Sequence, residues 1–245
     1  MRAVNPAYLA HYEQLAETDL HTPILERDYV AWQMTNLLSY MGSVRGKVVC
    51  DVGCGAGALT RALLRSGAKV TAVDLSATYL AALAGSGAKL ACMNADDMNF
   101  DGEFDILVAA DIMEHTFLYS VNRALKIGGE LFVRVPYREN LLAYAPQWCE
   151  HEFVHLRSYN KPLLRDTLRH AGFRVDRFWL DGFSLGTPQP WFINSNRYNR
   201  WAEWLKASGY PVTKVTMWPS WFARLLMRPQ EIVAKATKTR EVSAP

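Results

Sequence analysis

The stretch VVCDVGCGAGALT, residues 48–60, constrains this chain more than any other. A short apolar run ends in Asp51. Gly53, Gly55 and Gly57 then alternate with small residues, and ALTRALLRSG follows with the apolar spacing of a helix that stops at Gly67. Glycine has no Cβ and tolerates positive φ, so such a loop lets another group approach the backbone closely. Strand, bare loop and helix N-terminus, in that order, make the crevice of a doubly wound α/β sheet. A Gly-rich βα turn in an unrelated α/β protein is the plain alternative at this point.

The glycine spacing narrows the ligand. A dinucleotide site has G-x-G-x-x-G, with the pyrophosphate on the helix N-terminus. Here the third glycine comes one residue early and Ala58 stands at the dinucleotide position. G-x-G-x-G after an acid suits a ligand without a pyrophosphate.

The remaining elements agree with an alternating α/β sheet. Residues 7–45 read as helical in two segments parted by Pro23. Strands are predicted at KVVCDV, KVTAVDL, KLACMN, FDILVAAD, ELFVRVPY and FRVDRFWL, with helices at 58–66, 77–87, 113–127 and 161–172. Strands alternating with helices give a mostly parallel sheet whose strand C-termini share one edge. Asp51, Asp74, Asn94 and Asp111 all lie at or just past such ends. Residues 183–227 break the alternation: five of the eight tryptophans fall there, with four prolines, which reads as an irregular cap. RPQEIVAKATK, 228–238, reads as a last strand and 239–245 as a loose tail.

Composition excludes several classes. At 245 residues, half of them hydrophobic, the chain reads as one domain with an insertion. No run of 18 or more apolar residues suggests a membrane helix, and the first 20 residues lack the apolar core of a signal peptide. The four cysteines form no C-x-x-C pair, so all are read as reduced thiols of a cytoplasmic protein. A net charge of +3 is too small to imply nucleic acid. The bases are uneven, with nine Lys/Arg against three acids in 191–245, which suits an anionic substrate or simply a solvated face.

Asp74 closes the second strand, 23 residues after Asp51. An acid near that spacing accepts hydrogen bonds from ribose hydroxyls. With VVCDVGCGAG, VTAVDLS, NADDMNF, FDILVAADIMEH, LKIGGELFVRVP and HLRSYNKPLLRDTLRHAGF in register over about 47–180, the chain resembles the class I S-adenosylmethionine-dependent methyltransferases, in their small-molecule, ubiquinone-biosynthesis O-methyltransferase-like branch. The resemblance implies a Rossmann-like doubly wound sheet of seven strands with the last antiparallel. It implies an N-terminal helical cap at 1–45, a cofactor core at 46–182 and a Trp-rich substrate cap at 183–227. It also implies site roles. Gly53, Gly55 and Gly57 lie against the methionine and ribose of the cofactor, and Asp51 approaches its ammonium. Asp74 takes the ribose hydroxyls, Leu75 packs on adenine, and Asn94, Ala95 and Asp96 meet the adenine edge. Ala110 borders the methionine part. Where the family has an Asp, this chain has Asn94, whose amide oxygen accepts a neutral rather than a charge-assisted bond.

Methyl transfer from a sulfonium needs a nucleophile held in line and relieved of its proton. Candidate bases are His155, at the family's usual histidine position, and His151. DIMEH also resembles a metal-binding signature of one branch, which makes Asp111, Glu114, His115 and His151 a divalent-metal candidate set; a helix-start role for Glu114 is the preferred reading. The expected activity is methylation of a small molecule, aromatic, sugar-like or anionic, at a hydroxyl oxygen. N- or C-methylation on the same scaffold is the alternative, and a non-catalytic cofactor scaffold or a nicotinamide oxidoreductase is the rival of another class. No nucleic-acid partner is expected.

Overall fold

The computed structural model describes residues 6–21, 24–110, 112, 117–137, 159–188, 200, 225 and 227–243, with the side chains of 24–32 and 183–188 excepted. Helices α1 (Pro6–Leu20) and α2 (Ile24–Met41) come first. Then follow β1 (Val48–Val52), α3 (Ala58–Arg65), β2 (Lys69–Asp74), α4 (Ala77–Ala81), β3 (Lys89–Cys92) and β4 (Phe104–Ala110). The chain continues with α5 (Phe117–Ala124), β5 (Leu125–Pro136), α6 (Lys161–His170), β6 (Phe173–Pro188) and β7 (Met227–Lys238). Seven strands lie in the order β3-β2-β1-β4-β5-β7-β6, the last antiparallel.

The central strands are short runs of valine, leucine, isoleucine and alanine because both sheet faces are covered. Val49, Cys50, Ala72, Val73, Leu107 and Val108 are all fully buried. β1 pairs in parallel with β2 and with β4, which brings Asp51 level with Ala72 and Val108. That register sets Asp51 and Asp74 at the same carboxyl edge.

The chain forms two compact units. The first comprises 1–135, 161–178 and 234–245, and the second 136–160 and 179–233. The first holds β1–β4 and α1–α6. In the second, Tyr137 and Tyr159 form a parallel bridge, and the Tyr137 N–H donates to the Gln230 carbonyl at 2.7 Å.

Several boundaries differ from the sequence reading. The helix expected over 113–127 ends at Ala124, and β5 starts at Leu125 rather than at Glu130. Leu125 pairs with Phe104 and the Lys126 ammonium reaches the Asp105 carboxylate at 2.7 Å, so this segment is claimed by the start of β4. The register then shifts between Phe104 and Ile106. The helix expected over 77–87 closes after Ala81 into turns. β6 runs to Pro188, into the segment expected to begin the cap.

The tail is tied down rather than loose. The Asn122 amide donates to the carbonyls of Ala171 and Arg240, both at 2.9 Å, and accepts from the Val242 N–H at 3.2 Å. Lys238, fully buried, donates its ammonium to the Leu125 carbonyl at 2.7 Å and pairs with Glu241 at 2.7 Å. A buried ammonium is tolerated only with such partners.

Candidate functional site

The site is built from the carboxyl ends of β1 and β2 and the loop between β1 and α3. The N–H groups of Gly53 and Cys54 donate to the Val73 carbonyl at 2.8 and 3.1 Å, which clamps the loop onto β2. Gly57 sits at the N-cap of α3 with φ +77° and ψ +25°, a left-handed conformation. The three glycines face different surroundings. A Cβ at Gly57 would lie 2.2 Å from Leu83 Cδ2, and one at Gly53 2.5 Å from Ile112 Cγ2. A Cβ at Gly55 would meet nothing within 4 Å among the described residues. Among the described residues Gly55 therefore presents bare backbone, while Gly57 admits Leu83.

Asp51 is buried beneath this loop. Its Oδ2 accepts from the Thr60 hydroxyl at 2.6 Å. Burial pushes its carboxyl up to about 6, the nearby Asp74 charge adds to this, and the Thr60 bond opposes both. Thr60 is a polar residue on the face of α3 that also buries Leu59 and Leu63. A lone hydroxyl on an apolar helix face needs a partner, and that was the available sequence signal for this pair.

Asp74 is the second acid, also buried. Its Oδ2 accepts from the Gly55 N–H at 2.9 Å and its Oδ1 from the Ser76 N–H at 2.9 Å. The Leu75 N–H and the Tyr12 hydroxyl lie near it and favour its ionised form. Burial raises its carboxyl above the ordinary range, and these bonds partly offset the rise. The carboxylate thus links the bare glycine to the start of α4.

Helix α1 closes one side. Glu13 accepts from the Ser76 hydroxyl at 2.7 Å, from the Ala77 N–H at 2.8 Å and from the Thr78 N–H at 3.3 Å. It thereby supplies an acid at the N-terminus of α4, where the helix has orphan donors. Ser76 caps the same helix by accepting from the Tyr79 N–H at 3.2 Å. The Tyr79 hydroxyl donates to Asp19 at 2.8 Å. None of these α1 contacts has a local sequence signature.

The adenine-side candidates flank Asp74. Cys92, level with Asp74 on β3, donates its thiol to the Leu75 carbonyl at 3.5 Å. Asn94 Oδ1 accepts from the Asp96 N–H at 3.0 Å and caps a single 3-10 turn at Ala95–Asp97. Its amide oxygen keeps a second lone pair. Asp96 is exposed. Ala110 ends β4 opposite the buried Arg134 of β5. Asp111, Glu114, His115, His151 and His155 lie outside the described residues, as does nearly all of the tryptophan-rich segment. Among the described residues no group of three or more His, Cys, Asp or Glu is arranged to hold a metal ion. Cys50, Cys54 and Cys92 are free thiols. No helix among the described residues is long and apolar enough to cross a membrane.

Comparison with known proteins places this geometry. Residues 50–133 match the family described as methyltransferase domain. The ubiquinone biosynthesis O-methyltransferase of Pseudomonas paraeruginosa is 27% identical over 148 residues, covering 54% of this chain and 64% of that protein. The ribosomal RNA small subunit methyltransferase A of Erythrobacter litoralis is 34% identical over 111 residues, covering 44% of this chain and 36% of that protein. This chain thus spans less than two thirds of the length of both. In fold it is similar to the Burkholderia thailandensis 1,6-didemethyltoxoflavin-N1-methyltransferase, solved with bound 1,6-didemethyltoxoflavin and S-adenosylhomocysteine. The TM-score is 0.60 and the identity 17%, covering 98% of this chain and 93% of that one.

Proposed function

We propose that this chain, whose residues 50–133 form a class I S-adenosylmethionine-dependent methyltransferase domain, transfers the methyl group of that cofactor to a hydroxyl oxygen of a small molecule. The observation that carries the reading is the Asp74 carboxylate at the end of β2, bonded to the N–H of Gly55, where a Cβ would meet nothing among the described residues. An acid so placed suits a ribose diol, and bare backbone beside it suits close approach of the ribose and methionine portions. The Gly57 N–H donates to the Cys54 carbonyl at 2.9 Å, so this third glycine's amide is not offered to a pyrophosphate.

Bound here, S-adenosylmethionine supplies an electrophilic methyl on a sulfonium. The chain's residues do the rest. Asp74 fixes the ribose, and Leu75, half-buried, offers an apolar face to adenine. Ionised Asp51 sets a negative charge under the loop that favours the cofactor's ammonium. His155, with His151 second, is the proposed proton acceptor for the substrate hydroxyl, since imidazole titrates near neutral pH. Oxygen is favoured over nitrogen or carbon as the accepting atom by the O-methyltransferases among the curated relatives.

Removing the Asp74 carboxylate is expected to weaken S-adenosylhomocysteine binding by about 1.5–3 kcal/mol, the scale of hydrogen bonds to a charged group. Calorimetry on Asp74→Ala checks this, and unchanged affinity would place the ribose elsewhere. The accepting atom is tested with S-adenosylmethionine carrying a carbon-13 methyl and a panel of phenols, catechols and amines. A product whose labelled methyl is bonded to oxygen supports the proposal. Label transferred only to nitrogen or carbon overturns it while leaving the methyl-transfer reading intact.

A further inference from the structure

Helix α4 is five residues long, Ala77–Ala81. A helix that short gains too little from its own hydrogen bonds to hold its place. Its first three amides are nevertheless all satisfied. Ser76, the N-cap, takes the Tyr79 N–H at 3.2 Å, and Glu13 takes the Ala77 N–H at 2.8 Å and the Thr78 N–H at 3.3 Å. Glu13 also accepts from the Ser76 hydroxyl at 2.7 Å, so the cap residue is itself oriented from α1. One carboxylate on another helix thus supplies acceptors that a helix start otherwise takes from its flanking residues or from water.

The same Ser76 closes the corner that carries Asp74. Its N–H donates to Asp74 Oδ1 at 2.9 Å, while Asp74 Oδ2 accepts from the Gly55 N–H at 2.9 Å. A continuous hydrogen-bonded line therefore runs from Glu13 through Ser76 to Asp74 and on to the glycine loop. Ser76 contributes to it with both its hydroxyl and its N–H, so a shift of the α4 cap moves a donor of Asp74 directly. Asp74 keeps acceptor capacity beyond these two amides, which is what a diol requires. Helix α1 is lightly seated: among its described residues only Ala16 is buried, and Leu15 is exposed. Its attachment leans on polar ties such as those of Glu13 and the Tyr79–Asp19 bond at 2.8 Å.

We infer that Glu13 is a positioning residue for the cofactor: by capping α4 from a separate helix it fixes the corner between Asp74 and Ser76, and so sets how well Asp74 holds the ribose. This rests on the reading of Asp74 as the ribose acid. Both Glu13 oxygens are engaged by α4, so Glu13 acts through that corner and not on the ligand.

Calorimetry with S-adenosylhomocysteine is run on the wild type, Glu13→Ala, Glu13→Gln, Asp19→Ala, Asp74→Ala and the Glu13→Ala, Asp74→Ala pair. Circular dichroism checks that each is folded at the titration temperature. Glu13→Ala is expected to bind about tenfold more weakly. Glu13→Gln keeps one acceptor oxygen and should fall between it and the wild type. Asp19→Ala loosens α1 without touching the corner and should bind within about twofold of the wild type. In the Asp74→Ala background the Glu13→Ala loss should vanish, because the corner then has no carboxylate to position. Wild-type affinity in Glu13→Ala overturns the inference. So does a loss in Glu13→Gln as large as that in Glu13→Ala, an equal loss in Asp19→Ala, or a Glu13→Ala loss that persists without Asp74. Those results leave the ribose reading standing. No binding by the wild type, or unchanged affinity in Asp74→Ala, overturns that reading and this inference with it.

Discussion

Gly57→Ala is expected to lower folding stability by about 2–5 kcal/mol, far more than Gly55→Ala in the same loop. Both positions have positive φ, +77° and +48°. An L-residue there costs about 1–2 kcal/mol at either site. Only at Gly57 would the new Cβ lie 2.2 Å from Leu83 Cδ2 and 2.7 Å from its Cγ. Leu83 is 1% exposed and belongs to a buried cluster with Cys54, Ala72 and Leu80, so it has little room to retreat. Overpacking of that kind adds about 1–3 kcal/mol. Denaturant unfolding of the two variants measures the difference directly. Equal losses would mean that Leu83 moves freely and that the third glycine is there for the ligand rather than for packing.

Asp51→Asn is expected to reshape the pH dependence of stability by about 3 kcal/mol. Burial, with some help from the charge on Asp74, raises the Asp51 carboxyl from 3.8 to about 6. A carboxyl raised by folding stabilises the protein most fully below its unfolded pKa, and that contribution is lost as pH rises through the folded value. The window is therefore about pH 4 to 6, and two pKa units correspond to roughly 3 kcal/mol. Asparagine keeps an oxygen for the Thr60 hydroxyl but does not titrate. Relative to the variant, the wild type should lose this amount of stability between about pH 4 and 7, whatever the fixed offset between them. A constant difference across that range would show that Asp51 is not a strained carboxylate. The same charge has the opposite effect on the ligand, because an ionised Asp51 favours a cationic cofactor. Asp51→Asn should be the better-folded protein near neutral pH and the poorer binder, a trade of stability for function.

How much of this was legible in the sequence follows from range. β1, β2 and β4 are apolar runs that end in acids or small residues, and strands buried on both faces read that way. Asp51 and Asp74 could be placed because the loop and strand order put them at one edge. The start of β5 was misread because LKIGG looks like a helix running into a glycine stop; the ties to Phe104 and Asp105, about twenty residues earlier, decide it instead. The helix after Ser76 looked longer because ATYLAALA is rich in helix formers, yet it turns at Ala82, where Leu83 drops into the space left by Gly57. The extension of β6 to Pro188 was hidden by Gly182, Gly186 and Pro188, which read as loop residues. Within the site, what escaped was the role of α1. Tyr12 meets Asp74 and Glu13 meets Ser76 across more than sixty residues, and no periodicity or motif encodes a pairing at that range.

The central claim is that the crevice at Gly55 and Asp74 takes an adenosyl cofactor without a pyrophosphate. It is tested most directly by titrating the purified chain with S-adenosylhomocysteine and, separately, with NAD in a calorimeter at pH 8, where Asp51 is ionised. Saturable 1:1 binding of S-adenosylhomocysteine with no heat from NAD is the predicted result. Tight binding of NAD with none of S-adenosylhomocysteine would contradict it.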